Sequence, residues 1–202
     1  MGFFYSVVSD PMNMHTYSLQ FPENEIRDWA SCYSFASDEE VENIIAPAVR
    51  VRGGFTKSEF LKLCHWKSPR TQPLCSKNPE DFIIEVTSTS LASKHEQLRI
   101  EVLTLLHGVN WPTASAILHF GFSNQYPILD FRALSSLGVK DPTSCYNFDA
   151  WHSYTIFCQN LAKKNNVTLR TLDRALWQYD YSKNHPSNTQ VMNEFFATNH
   201  YR

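Results

Sequence analysis

The chain has 202 residues, enough for one large domain or two small lobes sharing a core, since compact domains run to roughly 100–150 residues. Hydrophobic residues at 43%, aromatics at 14% and charged residues at only 19% exclude disorder over most of the length. A formal net charge of −2 excludes a protein that coats nucleic acid by bulk electrostatics.

Residues 1–22 carry aromatics without periodicity and read as an irregular or short extended segment against the body. Ser37-Asp38-Glu39-Glu40 offers a capping hydroxyl and a Glu three residues on, so a helix carrying Val41, Ile44 and Ile45 is predicted there. Gly53-Gly54 breaks the chain. A second box, Thr56-Lys57-Ser58-Glu59, opens a helix whose Phe60, Leu63 and Cys64 repeat at helical spacing, with Pro69 and Pro73 ending it. Pro79 before Glu80 and Asp81 suits a helix first turn, and that helix should run to about residue 90. The box Ser93-Lys94-His95-Glu96 opens the next, which places Leu98, Val102, Leu105 and Leu106 on one face. Later helices are predicted at 112–120, 130–137, 149–165 and 171–181, with a break at Asn184–Asn188 before a short C-terminal helix. The prediction is an all-α fold, one unit over 1–202.

Five cysteines, Cys32, Cys64, Cys75, Cys145 and Cys158, are odd in number, widely spread and without C-x-x-C or neighbouring His at metal-ligand spacing. They read as reduced thiols of an intracellular protein, with no metal, no iron–sulfur cluster and no other cofactor. A basic stretch followed by an apolar one is missing at the N-terminus, as is any run of 18 apolar residues, so secretion and membrane spanning are disfavoured. Between residues 50 and 77 lie Arg50, Arg52, Lys57, Lys62, Lys67, Arg70 and Lys77, with Glu59 the only acid. This run is either a phosphate-facing surface or the solvated face of a helix.

The segment Leu105-Leu106-His107-Gly108-Val109-Asn110-Trp111-Pro112-Thr113-Ala114 joins two apolar-faced helices by a very short turn. Gly108 can take a positive φ, Val109 can plug the gap between helices, and Asn110 tolerates a left-handed conformation. Ala114, Ser115 and Ala116 permit close helix approach. Backbone N–H groups of such a turn can grip one DNA phosphate without reading a base, and an ordinary helical hairpin has the same pattern.

The segment resembles the helix-hairpin-helix DNA glycosylases, typified by endonuclease III and the mismatch adenine glycosylase, whose pattern is Leu-Pro-Gly-Val-Gly-x-x-Thr-Ala. Leu106, Gly108, Val109, Thr113 and Ala114 match; His107 replaces the Pro and Asn110 the second Gly. In the family an Asp follows one helix and a loop later, and Pro127-Ile128-Leu129-Asp130 fits that place. Asp130 also lies 18 residues beyond Pro112, the position aligned with the lysine of the bifunctional members, which is the family's lysine-to-aspartate spacing. The resemblance covers residues 98–138, about a fifth of the chain.

That resemblance implies a two-lobed helical bundle with a cleft between the lobes, acting on double-stranded DNA with an altered or mismatched base. Gly108, Val109, Asn110 and Thr113 would bind phosphate and Asp130 would be the catalytic carboxylate, though an Asp before Phe131-Arg132-Ala133-Leu134 is also a good helix cap. Trp111, Trp66 and Tyr126 could stack an extruded base or belong to the core. Pro112 cannot form a Schiff base, so the enzyme would be monofunctional, with Lys67 the candidate if another amine reaches the sugar. Alternatives are a non-catalytic helix-hairpin-helix module and a helical protein-interaction domain. Leu172-Asp173-Arg174-Ala175-Leu176-Trp177 reads as a core-packing helix with its polar residues outward and carries no chemistry.

Overall fold

The computed structural model describes residues 16–34 and 38–185. Among them there is no strand: the fold is all-α. Ser37 and the short C-terminal helix expected after residue 188 lie outside the described residues. No helix among the described residues is long and apolar enough to cross a membrane.

Helix α1 is Ile26–Ser31. Helix α2 begins at Asp38–Glu40, widens into a π-helical turn at Val41–Ile45 and continues through Ala46–Arg52, where Gly53 caps it at φ +76°. Helix α3, Lys57–Lys67, starts with the predicted box: Thr56 Oγ1 accepts from the Glu59 N–H, and the Glu59 carboxylate accepts from the Thr56 N–H. Pro69 opens a 3-10 turn, Pro69–Thr71, and Pro73 lies in the first turn of α4, Gln72–Cys75. Pro73 was expected to end a helix; it starts one, because an N-terminal position needs no proline N–H.

Helix α5 is Glu80–Ala92, and α6 is Glu96–Glu101 extended by the 3-10 turn Val102–Leu105. Two expectations for α6 fail. Ser93 Oγ bonds the His95 backbone and does not cap the helix. Leu98 and Leu105 are exposed, while Ile100, Leu103 and Leu106 are buried. The 3-10 turn explains this, since three residues per turn align positions 100, 103 and 106.

After the hairpin come α7 (Trp111–Gly121), α8 (Phe131–Ser136), α9 (Phe148–Lys164) and α10 (Leu169–Lys183). Buried apolar side chains from all along the described residues form one contiguous cluster, with Trp151, Tyr154, Phe55 and Phe60 among its largest members. Each such side chain contributes about 1.5–3 kcal/mol by leaving water. Helix α10 packs against α1 and α8. The segment 16–22 crosses the end of α8: the Ser18 and Gln20 N–H groups donate to Leu137 O and Ser136 O, both at 3.0 Å. Tyr17 Oη donates to Ala150 O at 3.0 Å, and Tyr179 Oη to Gln20 O at 2.8 Å.

Candidate functional site

The hairpin turn is built on one glycine. Gly108 has φ +81°, and a Cβ there would lie 2.7 Å from Cys75 Sγ and 2.9 Å from the Cys75 backbone nitrogen. The turn therefore rests on the end of α4. Buried Asn78 fastens it there: its Oδ1 accepts the His107 N–H at 2.8 Å and its Nδ2 donates to His107 O at 3.0 Å. Val109 fills the gap between the helices at 7% exposure. Asn110 is extended, φ −119°, not left-handed, and its Oδ1 accepts the Trp111 N–H at 2.8 Å. The second glycine of the family pattern is thus unnecessary here, because no positive φ falls at that position. Thr113 is buried, so its hydroxyl is not part of the outer surface.

The segment running to Asp130 is held at three points. His119 Nδ1–H donates to Tyr126 O at 2.7 Å, Tyr154 Oη donates to Ile128 O at 2.8 Å, and the Leu129 N–H donates to Ser115 Oγ at 2.8 Å. Small Ser115, expected to permit close helix approach, also supplies one of these anchors.

Asp130 has two engagements. Its Oδ1 accepts the Arg132 N–H at 2.9 Å and so caps α8, while its Oδ2 pairs with Lys67 Nζ at the end of α3. The two side chains are 13% and 8% exposed. Burial raises the carboxyl pKa, but the Lys67 charge and hydrogen bond, with the Arg132 N–H, outweigh it and hold Asp130 below the usual carboxylate range. It is an ionised carboxylate in a sheltered place.

Asp130 and Lys67 line a cavity of about 260 Å³ whose aromatic walls are Tyr33, Trp66, Phe131 and Trp177. Helix α10 supplies its third side, where Arg170, Asp173 and Trp177 fall at i, i+3 and i+7 and share one face. Phe131 stands at the rim, 52% exposed, with the Arg132 guanidinium 4.9 Å from its ring centroid and 5.2 Å from that of Trp177.

The structure brings Trp66, Lys67 and Asp130 together around this cavity. It places Tyr126 in the core, stacked on Trp151 with its hydroxyl donating to Glu96 Oε2 at 2.9 Å. Trp111 packs against the core at the start of α7 and does not line the cavity. Both rings were candidates for the base pocket on nearness in sequence to the hairpin and Asp130, but helix packing turns them away.

The polar residues of α10, expected to face outward, face inward. Arg170 donates to Asp38, to Glu42 (Nε to Oε1, 2.6 Å) and to Asp173; Arg174 donates to Glu42 at 2.7 Å. Asp38 also accepts from Trp66 Nε1 at 2.8 Å and from Tyr33 Oη at 3.3 Å. Burial disfavours the Arg170 charge, yet Asp173 and Asp38 hold its pKa above the ordinary value. Burial likewise raises the Tyr33 phenol. Within the basic run 50–77, Arg52 and Lys62 stay exposed while pairing with Glu59 and Glu40, whereas Lys67 is withdrawn from solvent against Asp130. Among the described residues, no group of His, Cys, Asp and Glu is arranged to hold a metal ion.

No protein family, curated protein or solved structure matches this chain.

Proposed function

We propose that this protein is a DNA N-glycosylase that grips duplex DNA with the hairpin at 106–113, extrudes an altered or mismatched base and hydrolyses its N-glycosidic bond without cutting the strand. The two-lobed arrangement, with a DNA cleft between lobes, belongs to this proposal. The observation that carries it is the ionised, sheltered carboxylate of Asp130 in the wall of an aromatic cavity.

The volume supports a single flat ring as occupant, since about 260 Å³ is below the roughly 300–1,000 Å³ of pockets for drug-sized molecules. Tyr33, Trp66 and Trp177 offer faces for stacking, and exposed Phe131 suits the gap that a departing base leaves in the duplex. Breaking the bond builds positive charge on the sugar. A carboxylate fixed by Lys67 and the Arg132 N–H would stabilise that charge without reorganising and would take the proton of the attacking water. Lys67 serves here as the ion-pair partner that keeps Asp130 charged, and strand scission then depends on later alkali.

The test is cleavage of labelled duplexes carrying a panel of altered bases, with and without alkali, by the native protein and Asp130→Asn. We expect alkali-dependent strand breaks with the native protein and a loss of at least about 100-fold in the variant. Binding to every duplex with excision of none would identify a non-catalytic DNA-binding module instead. Alkali-independent cutting that Lys67→Ala abolishes would make the enzyme bifunctional.

A further inference from the structure

The charges around the cavity do not balance. The sheltered carboxylates Asp38, Asp130 and Asp173 face the sheltered cations Lys67 and Arg170, one carboxylate more than cations, while Glu42 and Arg174 pair with each other at the more exposed edge of the network. Arg132, also at the cavity, is matched by Asp180 at 2.8 Å. A buried excess charge is relieved most readily by protonating the carboxylate with the fewest donors. Asp38 accepts from Trp66, Tyr33, Arg170 and Arg174, Glu42 from both arginines, and Asp130 from Lys67 and the Arg132 N–H. Among the described residues Asp173 has the Arg170 bond alone, and it lines the cavity with its side chain 8% exposed.

We propose that Asp173 is a second catalytic carboxyl of this site, which protonates the departing base while Asp130 acts at the sugar, and that the substrates are therefore neutral bases. This rests on the glycosylase reading above. A neutral base leaves as an anion unless a proton reaches it, whereas a purine alkylated at N7 or N3 already carries a positive charge and leaves without a donor. In the step, the carbon–nitrogen bond breaks and its electron pair goes to the base nitrogen, which takes the Asp173 proton. Solvent water adds to the sugar carbon and gives a proton to Asp130, and exchange with solvent resets both acids.

The titration of the two carboxyls supports this division. Burial pushes the Asp173 carboxyl up to about 6 against the pull of Arg170 and Lys67, with Asp130 adding to the rise, while Asp130 itself is held low. The other titratable groups that feel Asp173 are Tyr33 beside α1 and Tyr154 and Cys158 on α9, all with raised pKa values and so uncharged. Two acids of one site whose environments drive them apart are arranged for acid and base roles.

The experiment is single-turnover excision of a neutral altered base and of a cationic N7-alkylated purine, followed against pH for the native protein, Asp173→Asn and Asp173→Glu. The native rate on the neutral base should fall above about pH 6, and Asp173→Asn should lose roughly 100-fold and the pH limb with it. Asp173→Glu should restore part of both, and any excision of the cationic base should fall far less in Asp173→Asn than excision of the neutral base does. The Asn variant leaves the sheltered carboxylates Asp38 and Asp130 matched by Arg170 and Lys67, so it should fold. An infrared carboxylic-acid band that disappears between about pH 5 and pH 8, and is missing from Asp173→Asn, would support the protonation independently of turnover. Native excision that Asp173→Asn matches in rate and pH profile would overturn this role and leave the glycosylase reading standing. A native protein that excises nothing would overturn that reading and this role together.

Discussion

His119 occupies a place where a proton would do harm. Its ring is 7% exposed, and its Nδ1–H holds Tyr126 O at the head of the segment that leads to Asp130. Burial, with the fields of Arg170, Arg50 and Arg174, pushes its pKa down to about 3. The unfolded chain binds that proton near 6.5, so the His119 contribution is complete above that value and is lost as pH falls toward about 3, by up to about 1.4 kcal/mol per pH unit. Asp173 has the opposite sign. Its pKa is raised to about 6 from an unfolded value near 3.9, so its contribution is complete below about 3.9 and lost as pH rises through about 6. Urea midpoints measured between about pH 6 and pH 4 should therefore drop more steeply in Asp173→Asn than in the native protein. An unchanged slope would mean that Asp173 is ionised throughout. Asp130 was legible in the sequence because capping and register with the hairpin both single it out. Asp173 was not, since alternation along α10 shows which stripe is apolar but not how far burial extends past it.

At the scale of elements, the hairpin turn concentrates the strongest local demands. Gly108→Ala would meet both the left-handed φ and the Cys75 contact, so it should cost about 2–4 kcal/mol, readable as a fall in the denaturation midpoint. Asn110→Ala should cost about 1 kcal/mol as a lost cap, and Asn110→Gly only a few tenths. If Asn110→Gly proved stabilising by more than about 1 kcal/mol, the extended backbone at that position would be wrong. Turn chemistry made the hairpin legible, and the predicted helices at 112–120, 130–137, 149–165 and 171–181 correspond to α7, α8, α9 and α10. The face of α6 was misread because its second half tightens to a 3-10 turn, a change that a 3.6-residue pattern does not register.

At the scale of the molecule, Arg170 ties α2 to α10 through Asp38, Glu42 and Asp173. Arg170→Met would leave buried Asp38 and Asp173 short of a partner and should cost about 3–5 kcal/mol, enough to unfold a marginal domain at moderate temperature. A melting temperature within a few degrees of native would show that the network relaxes or takes up protons instead. The all-α architecture was legible from capping boxes and apolar periodicity. The cavity was not: it draws Tyr33, Trp66, Asp130 and Asp173 from four distant stretches, and no local pattern relates them.

The strap at residues 16–22 bears on how the chain acquires its structure. Its partners, Ser136, Leu137, Ala150 and Tyr179, all lie more than 110 positions further along. Contacts of such long range close late, because the loop between them must be ordered first. On the ribosome, this stretch emerges before α8, α9 and α10 and must wait for them before it can dock. Its protection from proteolysis or hydrogen exchange is therefore a marker of completed folding.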